Sequence, residues 1–144
     1  MVREAVSGDL SAILALYLDL HEDHIPAHDE HLQDTWARIM RDESHHLLVN
    51  EIEGEIVSSC VCVVIPNLTR GVRPYALVEN VVTRADRRGK GYAGECLSFA
   101  RQLAQRENCY KMMLLTGSKQ EATLRFYESA GFSRGGKTAF VQLI

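Results

Sequence analysis

The spacing of apolar residues changes from segment to segment along this chain, and each spacing predicts an element. Val2 to Ala5 reads as a short strand. Leu10, Ile13, Leu14 and Tyr17 recur at helical spacing, with Ser7 as the expected cap and Asp9 in the first turn. A polar stretch broken by Pro26 leads to a second helix from about Asp29, with Leu32, Trp36, Ile39 and Met40 inward. "HLLVNEI" (46–52) and "IVSSCVCVVI" (56–65), joined through Gly54, carry a hairpin signal. Pro66 to Pro74 is a loop, and "YALVENVVT" (75–83) is a strand, apolar on both faces except at Glu79 and Asn80. A helix starts near Gly89 and runs to about Glu107, its stripe made of Ala93, Cys96, Leu97, Ala100 and Ala104. "YKMMLLT" (110–116) is a buried strand, "EATLRFYESAG" (121–131) a helix closed by Gly131, and "KTAFVQLI" (137–144) a last strand.

The order is therefore β-α-α-β-β-β-α-β-α-β. Three adjacent strands argue an antiparallel portion, and the β-α-β that follows argues a parallel crossover. The expected fold is α/β of the α+β kind: a mixed, mostly antiparallel sheet of six to seven strands flanked by about four helices. With no linker and no repeat, residues 1–144 read as one domain.

Composition narrows the classes. The 144 residues are 46% apolar and 24% charged, as in a soluble globular domain. No apolar run is long enough for a membrane span, and "MVREAVSGDLSAI" has no signal segment, so no membrane partner and a cytoplasmic location are expected. A net charge of −3 argues against nucleic acid as a partner. The four cysteines show no C-x-x-C spacing; Cys60 and Cys62 share a strand face and read as reduced core thiols.

The chemistry concentrates in "RRGKGYAGE" (87–95). Gly89, Gly91 and Gly94 match G-x-G-x-x-G, but the next strand carries no acid to hold a ribose, against a dinucleotide site. The G-x-x-x-x-G-K-[ST] spacing of a P-loop is absent. Two readings stay open: a tight turn with a basic face, and an anion cradle at a helix start. Glycines let the backbone approach an anion, helix N–H groups face it, and Arg87, Arg88 and Lys90 add charge.

"VVTRADRRGKGYAGECLSFA" (81–100) resembles the acyl-CoA-binding signature of the GNAT N-acetyltransferases. Its core, Arg/Gln-x-x-Gly-x-Gly/Ala, is met by Arg88, Gly91 and Ala93. "FYESAGF" (126–132) is similar to the family's second signature, and "VREAVSGDLSAILALY" (2–17) to its start. The resemblance implies acetyl-CoA as co-substrate, wedged where two strands splay at a bulge, with no metal. It implies that backbone groups of Asn80, Val81 and Val82 meet the acetyl and pantetheine end. Amides of Arg87, Arg88, Gly89, Lys90, Gly91, Tyr92 and Ala93 would surround the diphosphate. Gln120 stands where members often carry Asn for the pantetheine arm.

The resemblance also implies that Tyr127 donates a proton to the departing sulfur; packing beside Thr123, Phe126 and Ala130 is its other reading. Glu79, a carboxylate in an apolar strand, is the candidate base, with burial expected to raise its pKa; an ion pair to Arg84 or Lys111 is the alternative. The acceptor is expected to be a small-molecule primary amine. A protein lysine or N-terminal amine, or acyl-CoA sensing without catalysis, are the alternatives. The segment 21–31 holds Glu22, Asp23, Asp29 and Glu30, an acidic rim suited to steering a cationic amine. His21, His24, His28 and His31 are spaced in threes, but no Cys or anchoring motif accompanies them, so a solvated loop is preferred to a metal site. Arg70 and Arg73 could face a substrate anion, a homodimer contact or solvent.

Overall fold

A computed structural model describes residues 1–144. Its five strands are β1 (Val2–Glu4), β2 (His45–Ile52), β3 (Glu55–Ile65), β4 (Tyr75–Thr83) and β5 (Met112–Leu114). They form one sheet in the order β1-β2-β3-β4-β5. Neighbours from β1 to β4 are antiparallel, and β4 pairs β5 in parallel. The β2–β3 turn places Glu53 (φ 54°) and Gly54 (φ 80°) both in the left-handed region, the two-residue turn whose twist matches the strands it joins.

The helices are α1 (Leu10–Tyr17), α2 (Glu30–Arg41), the single turn α3 (Thr69–Val72), α4 (Tyr92–Arg106) and α5 (Glu121–Ser129). Asp29 caps α2 by accepting the Leu32 amide at 2.9 Å. Ser7, the expected cap of α1, makes no such bond. It opens a 3-10 turn, Ser7–Asp9. Asp9 takes the capping role from the far end of that turn, accepting the Val6 amide at 2.8 Å while pairing with Arg3 at 2.7 Å. At Gly131 (φ 96°) α5 ends, and the Phe132 amide reaches back to the Tyr127 carbonyl, the six-residue closure of a helix end.

Strand alternation divides the core between the two faces. Leu48, Cys60, Cys62, Ala76 and Val78 pack against Cys96, Leu97, Ala100, Leu103 and Ala104 of α4. Leu47, Val49 and Val61 pack the other way, against Ile13 of α1 and Trp36 of α2. The paired cysteine face expected from sequence is thus core, and all four cysteines are free. No helix is long and apolar enough to cross a membrane.

The mixed, mostly antiparallel α+β architecture is as expected, but the sheet has five strands rather than six to seven. Lys137–Ile144 forms no strand. A strand exists only through a ladder partner, and this segment has none. Arg134, just before it, pairs with Glu121 (3.0 Å) and Glu128 (3.0 Å) of α5.

Candidate active site

The centre of the site is an irregularity in β4. Ser59 pairs with Val82, and Val61 pairs with Glu79, so Cys60 alone opposes Asn80 and Val81. That extra residue is a β-bulge, and Asn80 absorbs it at φ 51°. The side-chain alternation slips by one there: Ala76 and Val78 face α4 before the bulge, and Val81 packs on the same cluster after it. The β4–β5 ladder stops at Val78 and Leu114. From Glu79 to Thr83 the outer edge of β4 therefore has no strand beside it. Asn80, Val81 and Val82 lie along this opening.

The loop after β4 continues it. Ala85–Arg87 is a 3-10 turn, and Gly89 (φ 74°) and Gly91 (φ 86°) hold left-handed conformations that a side chain would strain. Gly91 caps α4 with its carbonyl, which accepts the Glu95 amide at 3.0 Å. No amide from Arg88 to Gly94 makes a well-formed hydrogen bond within the chain. These are consecutive donors at the positive end of a 15-residue helix, open to solvent. Arg87 differs from the expectation: its amide is already bonded to the Arg84 carbonyl at 2.9 Å. The free run is therefore shifted by one residue, from Arg88 through Gly89, Lys90, Gly91, Tyr92 and Ala93 to Gly94.

The arginine side chains are committed elsewhere. Arg87 reaches Glu55 at 3.4 Å. Arg88 donates to the Thr83 carbonyl at 3.2 Å and to the Asp19 carbonyl at 3.0 Å, tying the loop to the end of α1. The Asp19 carboxylate in turn accepts the Ala85 amide at 3.1 Å. Asp19 carried no signal in sequence, because its two partners lie more than sixty residues on.

Tyr127, on α5, packs between Phe126 (5.0 Å) and Phe132 (6.3 Å) over the α4-side core. Burial pushes its phenol above the ordinary value, and the nearby Cys60 acts in the same direction. Cys60 is held strongly protonated by its contact with Cys96 and by burial. Tyr17 of α1 is a residue that sequence reasoning took only as core. Burial raises its phenol, and the side chain of Asn80, at the bulge, works against that rise. Gln120 is the exposed cap position of α5, its side chain free of capping bonds.

Glu79 is exposed, so the buried carboxylate expected from the apolar pattern is not present. The ladder ends at its neighbour, and nothing covers it. Neither expected ion pair forms: Arg84 binds Glu55 and Asp86, and Lys111 lies over the rings of Tyr75 and Tyr110. Arg73 donates to the carbonyls of Asn108 and Cys109 and Arg70 lies over Tyr110, so both brace the start of β5. Residues 21–31 are exposed throughout, and no group of His, Cys, Asp or Glu is arranged to hold a metal.

The acetyltransferase (GNAT) family profile matches residues 12–132. A structure from Agrobacterium tumefaciens str. C58, assigned as an acetyltransferase, superposes with a TM-score of 0.91 at 36% identity, covering 99% of each chain. A transcriptional regulator of Bacillus halodurans C-125 superposes at 0.86 with 25% identity, again over 99% of each. Glucosamine 6-phosphate N-acetyltransferase of Trypanosoma brucei brucei is 33% identical over 79 residues, 55% of this chain. The chain matches about half (52%) of that curated relative's length.

Proposed function

This chain belongs to the acetyltransferase (GNAT) family, and we propose that it is an acyltransferase that moves an acetyl group from acetyl-CoA to the primary amine of a small molecule. The observation that carries this is the unbroken run of free amides from Arg88 to Gly94, in the loop and helix start that follow the open edge of β4. A diphosphate fits it: oxygens can accept several N–H bonds at once at a helix start, and no Cβ stands at Gly89 or Gly91. Lys90, exposed and outside any ion pair, adds charge. The open edge of β4 at Asn80 to Val82 offers backbone groups to the amide-bearing arm.

The donor supplies an acyl group activated as a thioester. Attack of the amine forms the C–N bond, and collapse breaks the C–S bond. An amine with pKa near ~10.4 costs about 4–5 kcal/mol to deprotonate at neutral pH. Glu79, exposed on the face opposite Ala76 and Val78, receives that proton directly or through water. The leaving thiolate takes a proton from Tyr127, whose phenol is protonated at neutral pH and is pushed further above its ordinary value by burial. The acidic segment 21–31 and the half-buried Tyr17 border the acceptor side, where Arg88 and Asp19 fix the base of that segment. The amino-sugar acceptor named for the trypanosomal relative supports a small-molecule amine.

The test is thiol release from acetyl-CoA across a panel of amino sugars, polyamines, aminoglycosides and lysine peptides. Turnover confined to small amines supports the proposal; turnover confined to peptides would replace the acceptor class. A second reading, acyl-CoA sensing without turnover, is favoured by the description of the Bacillus relative as a transcriptional regulator. It requires thermal stabilisation by acetyl-CoA with no thiol release from any amine.

A further inference from the structure

Asn50 is a polar side chain closed off from solvent, on the face of β2 that Leu48 also presents to α4. A buried amide is costly unless its groups are bonded. Here all of them are. The carbonyl oxygen accepts from the Met1 nitrogen at 3.1 Å. Nδ2 donates to the Glu95 carboxylate at 2.7 Å and to the Tyr92 carbonyl at 3.3 Å. With an amino group on one side and two acceptors on the other, the amide satisfies every partner in this orientation alone.

Both donated bonds end in the first turn of α4. That is the turn in which Tyr92, Ala93 and Gly94 leave their amides free. Farther along, α4 meets the sheet through Cys96, Leu97, Ala100, Leu103 and Ala104. Apolar contacts of this kind carry no direction. They hold the helix against the sheet, and the Asn50 bonds fix how its first turn is rotated and how far it slides.

Glu95 gives the tie a second consequence. It is the acidic residue of that first turn. A carboxylate there is drawn to the positive end of the helix. Its reach of three residues back, the spacing by which a glutamate in a capping box finds an amide, leads to the Tyr92 N–H. Yet the carboxylate is held by Asn50, and the Tyr92 amide is open.

From these bonds we infer that Asn50 is a positioning residue of the diphosphate site: it fixes the first turn of α4 on β2 and keeps the Glu95 carboxylate off the amides that the coenzyme needs. The inference rests on the acetyl-CoA reading above and deepens it, since Asn50 acts through α4 and not by contact with either substrate. When the Asn50 amide is lost, Glu95 turns back onto the Tyr92 amide and competes with the diphosphate from within the chain.

The experiment is calorimetric titration of the full chain with CoA and with pantetheine, which lacks the diphosphate. Asn50→Ala should weaken CoA binding about tenfold, comparable to one hydrogen bond with a charged partner, and leave pantetheine within about twofold. Adding Glu95→Gln to Asn50→Ala should recover about threefold or more of that loss, while Glu95→Gln alone should keep CoA within about twofold of wild type. A role in packing alone would not give this recovery. If Asn50→Ala does not fold, Asn50→Ser, whose side chain is one bond shorter, serves in its place with the same expectations. Equal losses for CoA and pantetheine, unchanged CoA binding, or a loss that Glu95→Gln does not repair would each overturn the inference and leave the coenzyme site standing. A wild-type chain that does not bind CoA would overturn the acetyl-CoA reading and this inference together.

Discussion

The guanidinium of Arg88 donates to the main-chain carbonyl of Asp19 at 3.0 Å, joining the loop that opens α4 to the end of α1. One residue thus borders the free amides on one side and braces the acceptor-side segment on the other. Removing the side chain while leaving its amide in place should separate the two roles. In Arg88→Ala, the acceptor KM should rise several-fold more than the donor KM, since the amides that hold the diphosphate remain. A donor KM that rises alone, measured by steady-state kinetics with both substrates varied, would mean that Arg88 acts on phosphate directly.

Gly91 and Gly94 provide a matched pair. Neither would place a Cβ within 4 Å of another atom, but Gly91 sits at φ 86° and Gly94 in regular helix. Gly91→Ala should therefore cost about 1–2 kcal/mol of local strain and weaken CoA binding about tenfold or more. Gly94→Ala should slightly stabilise α4, by up to about 1 kcal/mol. Calorimetric titration with CoA and thermal melts check both; equal effects at the two positions would contradict the left-handed turn.

Tyr127→Phe should lower kcat on the order of 10²-fold and leave CoA affinity within about twofold. The phenol's pKa is raised by burial, so its proton is present at neutral pH and is lost only as pH climbs through that raised value. The wild-type rate should fall at high alkaline pH, and the variant should lack that limb. A variant with full rate across the range would remove Tyr127 from the chemistry.

Charge-neutralising Glu22, Asp23 and Glu30 together should raise the KM of a cationic acceptor severalfold at low salt and less at high salt. Asp29 is best left alone, because its carboxylate caps α2 and its loss would confound the reading with about 1 kcal/mol of helix stability. An unchanged KM would show that the acidic segment does not steer the acceptor.

Asp9 links pH to stability. The Arg3 guanidinium, bonded to it at 2.7 Å, holds its carboxyl below the ordinary 3.8. A carboxylate with a depressed folded pKa stabilises above its unfolded value and loses that contribution as pH falls through the folded one. The melting temperature should therefore fall below about pH 4, and Asp9→Asn should flatten that acid slope while lowering stability at neutral pH. Melts across pH 2–7 check it.

The element order was legible because each change of apolar period is local, and the free amides followed from glycines placed before a helix stripe. The bulge was not. Apolar residues on both faces of 75–83 say that a strand is buried, not where its neighbour ends. Since β5 leaves the ladder at Leu114, Glu79 sits at an opening and is exposed instead of buried. Likewise, Arg88 could be placed near phosphate from its position, but its bond to Asp19 joins residues 69 apart and leaves no mark in either local sequence. The segment 137–144 reads as a strand by pattern alone, and pattern does not name the edge that a strand joins.

The direct measurement is amide NMR during titration with CoA and, separately, with pantetheine. With CoA, the resonances of Arg88 to Gly94 should show the largest shifts and gain protection from exchange, while pantetheine leaves them in place and moves Asn80 to Val82. Saturating CoA that leaves the amides from Arg88 to Gly94 unmoved would contradict the diphosphate site.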